Sequence, residues 1–213
     1  MRPEPHTPRI AKATTALTTI AGPARLVGRI EDAILDLAGT VPRTDEPLSP
    51  TPHARALALA RSAAKSAAGL SGTAALAPGP FGLLTLLPDL VLVWKVQARL
   101  VADIAAAYGQ SASLGKEQML YCLFQHAAAQ AFRDLVVRTG ERFIVRRAGV
   151  VLLQSLAGKI GLQIAQRTVG KAAARYLPLV GAAGVAGYAY YDTRKVADNA
   201  IALFSRPITL EPT

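Results

Sequence analysis

The sequence predicts an all-α fold: a single bundle of about seven helices arranged around two Gly-rich apolar central helices. Three observations lead there. Apolar residues recur in steps of three and four along most of the chain, the mark of helix faces, and no stretch alternates apolar and polar long enough to make a sheet. Hydrophobic residues make up 51% of the composition, and much of that excess is alanine, the strongest helix former. Proline and glycine cut the chain into helix-sized pieces. A length of 213 residues suits one domain with a proper core.

In chain order, residues 1–9 are Pro-rich and read as a disordered tail, followed by one domain over 10–205 and a second tail over 206–213. Ile10–Ile20 is a weak, threonine-rich helix. Pro23 opens an amphipathic helix with Leu26, Ile30, Ile34 and Leu37 on one side, ending at Gly39. Thr40–Pro52 holds four prolines and is a loop. His53–Leu70 is an Ala-rich helix with Arg55, Arg61 and Lys65 outward, and Ser71–Pro80 is small and flexible. A long apolar helix follows from Leu86 to Gly109. Ser113–Thr139 is the next helix, with Ser113 a candidate N-cap and Gln118 and Gln125 as polar interruptions. Glu141–Ser155 and Leu156–Tyr176 are two more, or one helix with a weak point at Gly158 and Gly161. Pro178 breaks the chain, and Gly181–Phe204 is the last helix.

The helix after Pro88 is apolar all round in its first half, so it belongs in a bundle core or in a membrane. Two stretches are candidate membrane spans. Ala74–Trp94 contains three prolines besides Asp89. Tyr176–Tyr191 is uncharged, but 16 residues of helix reach only about 24 Å against a hydrocarbon core of about 30 Å. Both fall short, which favours a buried core over an inserted hairpin.

The formal net charge is +10 and the isoelectric point is near 10.2. Such a chain seeks a polyanion, either nucleic acid or an anionic membrane surface. Between Arg138 and Arg175 there are eight basic residues and one acid, Glu141. Arg138, Arg142 and Arg146 are spaced by four, as are Arg167, Lys171 and Arg175, so each trio is expected to line one helix face. A basic face backed by apolar residues fits a helix lying on an anionic bilayer, and fits equally a solvated outer face. Few aromatics interleave with the arginines, and no nucleic-acid motif is present, so nucleic acid is not the expected partner.

Catalytic chemistry finds little support. His126 has no carboxylate or second ligand near it in sequence and reads as a structural histidine. Ser71 in G-L-S-G-T misses the nucleophile elbow because Thr73 stands in place of the second glycine. Gly158-Lys159-Ile160 lacks the hydroxyl of a phosphate-binding loop. Gly181, Gly184 and Gly187 do not match a dinucleotide fingerprint; they give the last helix a smooth side that another helix or an acyl chain could approach. Cys122 is the only cysteine and reads as a buried, inert thiol, so no disulfide or thiolate metal site is expected. No metal and no cofactor is called for. The N-terminus lacks an apolar segment of secretory type, which makes the cytoplasm the default location.

Two blocks carry a family resemblance. One is L-P-D-L at Leu87–Leu90 with A-A-A-Y-G at Ala105–Gly109. The other is P-L-V-G-A-A-G-V-A-G at Pro178–Gly187, then Y-D-T at Tyr191–Thr193 and V-A-x-x-A at Val196–Ala200. The chain resembles the EcsC family of bacterial proteins over Gly69–Phe204. The resemblance implies an α-helical, membrane-associated protein, named for its association with an ABC transporter operon, and no defined enzymatic activity. It also singles out Asp89 and Asp192. Each has a local account: Asp89 as a first-turn acid, Asp192 as a partner of Lys195 along its helix. The sharper expectation is an interior polar site in which Asp89, Arg99 and Asp192 meet.

The function expected is therefore non-enzymatic: binding of a lipid, fatty acid or other hydrophobic ligand while the basic face docks on an anionic membrane surface. Leu83, Leu86, Leu90, Trp94, Gly181, Gly184 and Tyr188 would line the ligand site. One alternative is an interaction subunit of a membrane transporter without a small-molecule ligand. Another is a lipid-acting enzyme with Asp89 or Asp192 as base. The expected location is cytoplasmic and peripherally membrane-associated.

Overall fold

A computed structural model describes residues 23–75, 86–132, 135–139, 142–146, 148–171 and 178–211. The fold is all-α in class, with six α-helices among the described residues. They are α1 (Pro23–Gly39), α2 (Pro52–Ala75), α3 (Leu86–Ala107), α4 (Lys116–Ala128), α5 (Val150–Lys171) and α6 (Pro178–Phe204). The weak helix read over Ile10–Ile20 lies outside the described residues.

α2, α3 and α6 make the central unit, and α2 packs most extensively on α6. Small residues allow this. A Cβ placed on Gly72 of α2 would sit 3.4 Å from Ala186 of α6. Ala67, Val93 and Ala189 then form a buried layer across all three helices. Because Gln97 meets Thr193 and Gln110 meets Phe204, α3 and α6 run parallel, with α2 antiparallel to both. The main core lies toward the other end, around Ile30, Ile34, Leu100, Ile104, Leu120, Leu123, Phe132 and Phe204. α1 and α5 cover one side of it and cross closely at Gly161, whose added Cβ would lie 3.4 Å from the Val27 carbonyl. The point read as a weakness at Gly158 and Gly161 is thus a helix crossing inside one unbroken helix.

α3 stops where the sequence says it should. Gly109 has φ +70°, a left-handed conformation that costs glycine nothing. It donates to the Ala106 carbonyl at 2.8 Å, and Gln110 donates to the Ala105 carbonyl at 2.7 Å, satisfying carbonyls the helix end leaves open. The Pro-rich loop before α2 is fastened to the same region. Thr44 donates to Asp103, Arg55 clasps Glu46 with two hydrogen bonds of 2.7 and 2.8 Å, and Ser49 N–H reaches the Ala107 carbonyl at 3.1 Å.

Two expected helices are corrected. The helix read over Ser113–Thr139 ends at Ala128, followed by a 3-10 turn at Ala129–Phe132 and strand β1 (Val136–Thr139). The stretch read as a helix from Glu141 holds strand β2 (Arg142–Arg146) before α5 begins. The tail read over 206–213 contributes strand β3 (Ile208–Glu211). β1 pairs antiparallel with β2, and β2 pairs parallel with β3. The reason is local: Val136, Val137, Thr139, Ile144 and Val145 are β-branched, and such residues fit a pleated surface better than a helix. Phe143 and Val145 turn inward and are buried.

Candidate functional site

Where α3, α4 and α6 meet, a polar cluster interrupts the apolar packing. Asp192 of α6 is its centre. One carboxylate oxygen accepts from His126 Nε2 of α4 at 2.8 Å. The other accepts from Gln97 Nε2 of α3 at 2.8 Å. Gln97 also donates to Thr193 Oγ1 at 3.2 Å, and both residues are buried. Two turns further along α6, Asn199 donates to the Cys122 carbonyl of α4 at 3.1 Å. The carboxylate can only accept, so His126 carries a proton on Nε2. Nδ1 is shut off from solvent and has no partner among the described residues. The arrangement is a clasp between three helices. Cys122 beside it is fully buried, and burial pushes its thiol well up from the usual range, so it stays protonated.

The expected interior site is not assembled from the residues named for it. Asp89 lies in the first turn of α3. Arg99 is ten residues further along the same helix, about 15 Å away at 1.5 Å per residue. Arg99 instead pairs with Asp103 at 3.0 Å and with Asp45 at 3.6 Å. Asp192 belongs to the clasp, and Lys195 pairs with Asp198 at 3.7 Å. His126 and Gln97 were missed as partners of Asp192 because they lie 66 and 95 residues away in sequence. The available signal was that Gln97 is the one polar break on its apolar helix face.

The residues named for a ligand site also part. Leu83 lies outside the described residues, and Leu86 and Gly181 sit in the first turns of α3 and α6. Trp94 is buried, edge-on to Phe124 at 5.3 Å, and Leu90 is half-buried against the main core. Gly184 faces open space among the described residues, and Tyr188 is exposed. The first basic trio does not line a helix: Arg138 is on β1, opposite Phe143 in the register, while Arg142 and Arg146 are on β2. Arg167 and Lys171 lie in the last turns of α5, and Arg175 falls outside the described residues.

A second feature is built at the end of the central unit. The sequence from Ser66 to Trp94 contains one charged residue, Asp89, and that from Tyr176 to Tyr191 contains none. The fold brings the described parts of both together, because α2 ends where α3 and α6 begin. Leu70, Leu92, Tyr188, Tyr190 and Tyr191 are exposed within about one helical turn of the Ala67–Val93–Ala189 layer. Farther from the tip, Lys65 and Lys95 are exposed and Arg194 and Lys195 half-exposed. An end whose one charge is Asp89, a ring of tyrosine and leucine, and then a collar of cations follow one another along the unit. No helix among the described residues is long and apolar enough to cross a membrane. No family model, curated protein or solved structure matches the chain.

Proposed function

We propose that the protein is a non-enzymatic, peripheral membrane-binding protein that enters an anionic bilayer surface with the shared end of α2, α3 and α6. The observation that carries this reading is the convergence at one end of two long apolar segments that hold a single charge between them, Asp89, ringed by exposed Leu70, Leu92, Tyr188, Tyr190 and Tyr191. Tyrosine suits the headgroup level, where its ring is buried and its hydroxyl stays wet. Lys65, Lys95, Arg194 and Lys195 stand where the phosphates of an anionic leaflet would lie. Asp89 sits in a helix first turn, where the unsatisfied N–H groups favour a carboxylate. The lipid engaged is that of the bilayer rather than an acyl chain held in a groove, since Trp94 faces the core and Tyr188 faces outward. The resemblance to the EcsC family, itself a proposal, points to the same membrane association.

Flotation with vesicles tests the reading. Wild type should float with phosphatidylcholine vesicles containing 30% phosphatidylserine and much less with phosphatidylcholine alone. Leu92→Asp with Tyr188→Asp should abolish flotation while leaving the melting temperature nearly unchanged, because both side chains are about half exposed. Equal flotation of wild type and this variant would refute the docking end.

A further inference from the structure

The shared end of α2, α3 and α6 is long enough to enter one leaflet and too short to cross a bilayer. Lys65, Lys95 and Tyr191 each stand two residues behind the Ala67–Val93–Ala189 layer, on the side of the clasp, so they mark one level. From that level α2 runs on to Ala75, α3 back to Leu86 and α6 back to Pro178. At 1.5 Å per residue these lengths are about 14–20 Å. The hydrocarbon core of a bilayer is about 30 Å thick.

Few bulky side chains clothe this end. Beyond the marked level Leu70, Leu92 and Tyr188 are exposed. Between them the exposed positions include Ser66, Gly69, Thr73, Ala183, Gly184 and Gly187, all small. A Cβ built on Gly69, Gly184 or Gly187 would meet no atom within 4 Å among the described residues, so these glycines are open surface. The Ser66 hydroxyl donates to the Ser62 carbonyl at 3.2 Å, and that of Thr73 reaches the Gly69 and Leu70 carbonyls at 3.0 Å. Both donors are thus satisfied within α2 and need no water when they meet the acyl boundary.

Three packed helices, each about 10 Å across, need a wide opening in the leaflet they enter. Small side chains return little apolar contact for that opening, because the gain scales with apolar area. In a flat leaflet the headgroups must be parted to admit the helices. In a strongly curved leaflet they already stand apart, so the opening costs less. The attraction of Lys65, Lys95 and Arg194 for anionic lipid acts at either surface. Entry into one leaflet with few bulky apolar side chains is the combination that makes interfacial helices sensitive to lipid packing. We infer that this end selects curved, loosely packed anionic bilayers over flat ones, the cations supplying the attraction and the small-residue surface the discrimination. This rests on the docking reading of the same end.

The experiment floats full-length protein with sonicated small vesicles and with extruded large ones, both of phosphatidylcholine with 30% phosphatidylserine, at matched outer-leaflet lipid. Half-binding of wild type should need about threefold less lipid on the small vesicles. Added salt should weaken both while preserving the ratio, because screening acts on the cations and not on lipid packing. Gly184→Leu with Gly187→Leu should bind large vesicles nearly as well as small ones, since leucine supplies the apolar contact that glycine lacks. Its melting temperature should not fall, because both positions face open space among the described residues. Ala183→Leu, at another exposed position, makes the same test with a single change. Equal half-binding of wild type on both sizes overturns the inference and leaves the docking end standing. A ratio that vanishes in salt makes the discrimination electrostatic and also overturns it. Folded leucine variants that keep the wild-type ratio overturn the assignment to the small-residue surface. Failure of wild type to float with either size removes both readings.

Discussion

Replacing Asp192 by alanine should destabilise the fold by about 2–3 kcal/mol, because it strands a buried donor on a neighbouring helix. The carboxylate accepts two hydrogen bonds of 2.8 Å, from His126 and from Gln97. Hydrogen bonds to a charged group are worth about 1.5–3 kcal/mol, and a buried donor left without an acceptor costs about 1–3 kcal/mol. Gln97 would keep Thr193 at 3.2 Å, so its loss is partial. His126 would keep nothing on Nε2. The side chains of His126 and Asp192 are 17% and 16% exposed, enough for water to recover part of the loss, which keeps the expected total below the sum of the parts. Urea denaturation read by circular dichroism gives the value. His126→Ala alone should also destabilise, and the two changes together should cost about 1–2 kcal/mol less than their sum, since they share one interaction. Asp192→Asn should fall between alanine and wild type, because the amide can still accept one of the two bonds. A loss under about 0.5 kcal/mol for Asp192→Ala, additive with His126→Ala, would refute the clasp as a stabilising element.

Gly184→Ala should raise stability by about 1 kcal/mol, the helix-propensity difference, because nothing among the described residues lies within 4 Å of the added Cβ; a thermal melt checks it. Gly161→Ala should be close to neutral, since its Cβ meets Val27, Glu31 and Ile30 at 3.4–3.6 Å, whereas Gly161→Leu should cost about 1–3 kcal/mol or more by forcing α1 from α5. The Arg55 guanidinium beside Glu46 holds its carboxyl below the usual glutamate range. A depressed folded-state value means the contribution is present above the unfolded value, near pH 4.3, and is lost as pH falls through the folded one. Wild type should therefore be more stable than Glu46→Gln at pH 7, with the gap closing below about pH 4 in parallel melts.

The helices of the central unit were legible because their signals are local. Pro23 and Gly39 bound α1 as read, α3 begins at Leu86 as read, and Gly109 supplies the left-handed stop after it. The strands were not read, though V-V-R-T-G-E-R-F-I-V-R places Gly140-Glu141 between two β-branched runs, a hairpin signal. The spacing of four between Arg138, Arg142 and Arg146 competed with it and suggested a helix. Period four also keeps every second residue of a strand in phase, so the arginine count alone could not decide between the two. The parallel partner β3 has no such cue, because it comes from Ile208–Glu211 after the longest helix among the described residues. The polar clasp was invisible for the same reason of distance. Asp192 was singled out, yet its nearest sequence partner, Lys195, turned out to pair with Asp198, and no local rule points across 66 residues to His126.

The placement of the clasp divides the central unit into a firm half and a looser half. From Gln97 toward the C-termini of α3 and α6, the helices are held by the clasp, by Asn199 on Cys122, by Gln110 on Phe204 and Arg206, and by large buried side chains such as Leu100, Ile104 and Phe204. Toward the tip, beyond Trp94 on Phe124, the buried layer is Ala67, Val93 and Ala189 with Val96 against it, and Gly72 meets Ala186. Small residues bring helices close but remove little apolar area from water, at about 25 cal/mol per Å². Local opening should therefore start at the tip and end near Gln97. Hydrogen exchange should show amides of 68–75, 90–95 and 184–190 exchanging faster than those of 97–106 and 193–203. Adding anionic vesicles should slow the first set selectively, because a bilayer supplies the apolar cover that alanine and glycine do not. Uniform exchange along α3 and α6 would show that the close Ala/Gly packing is as strong as the clasped half, and the reasoning from buried area would fail.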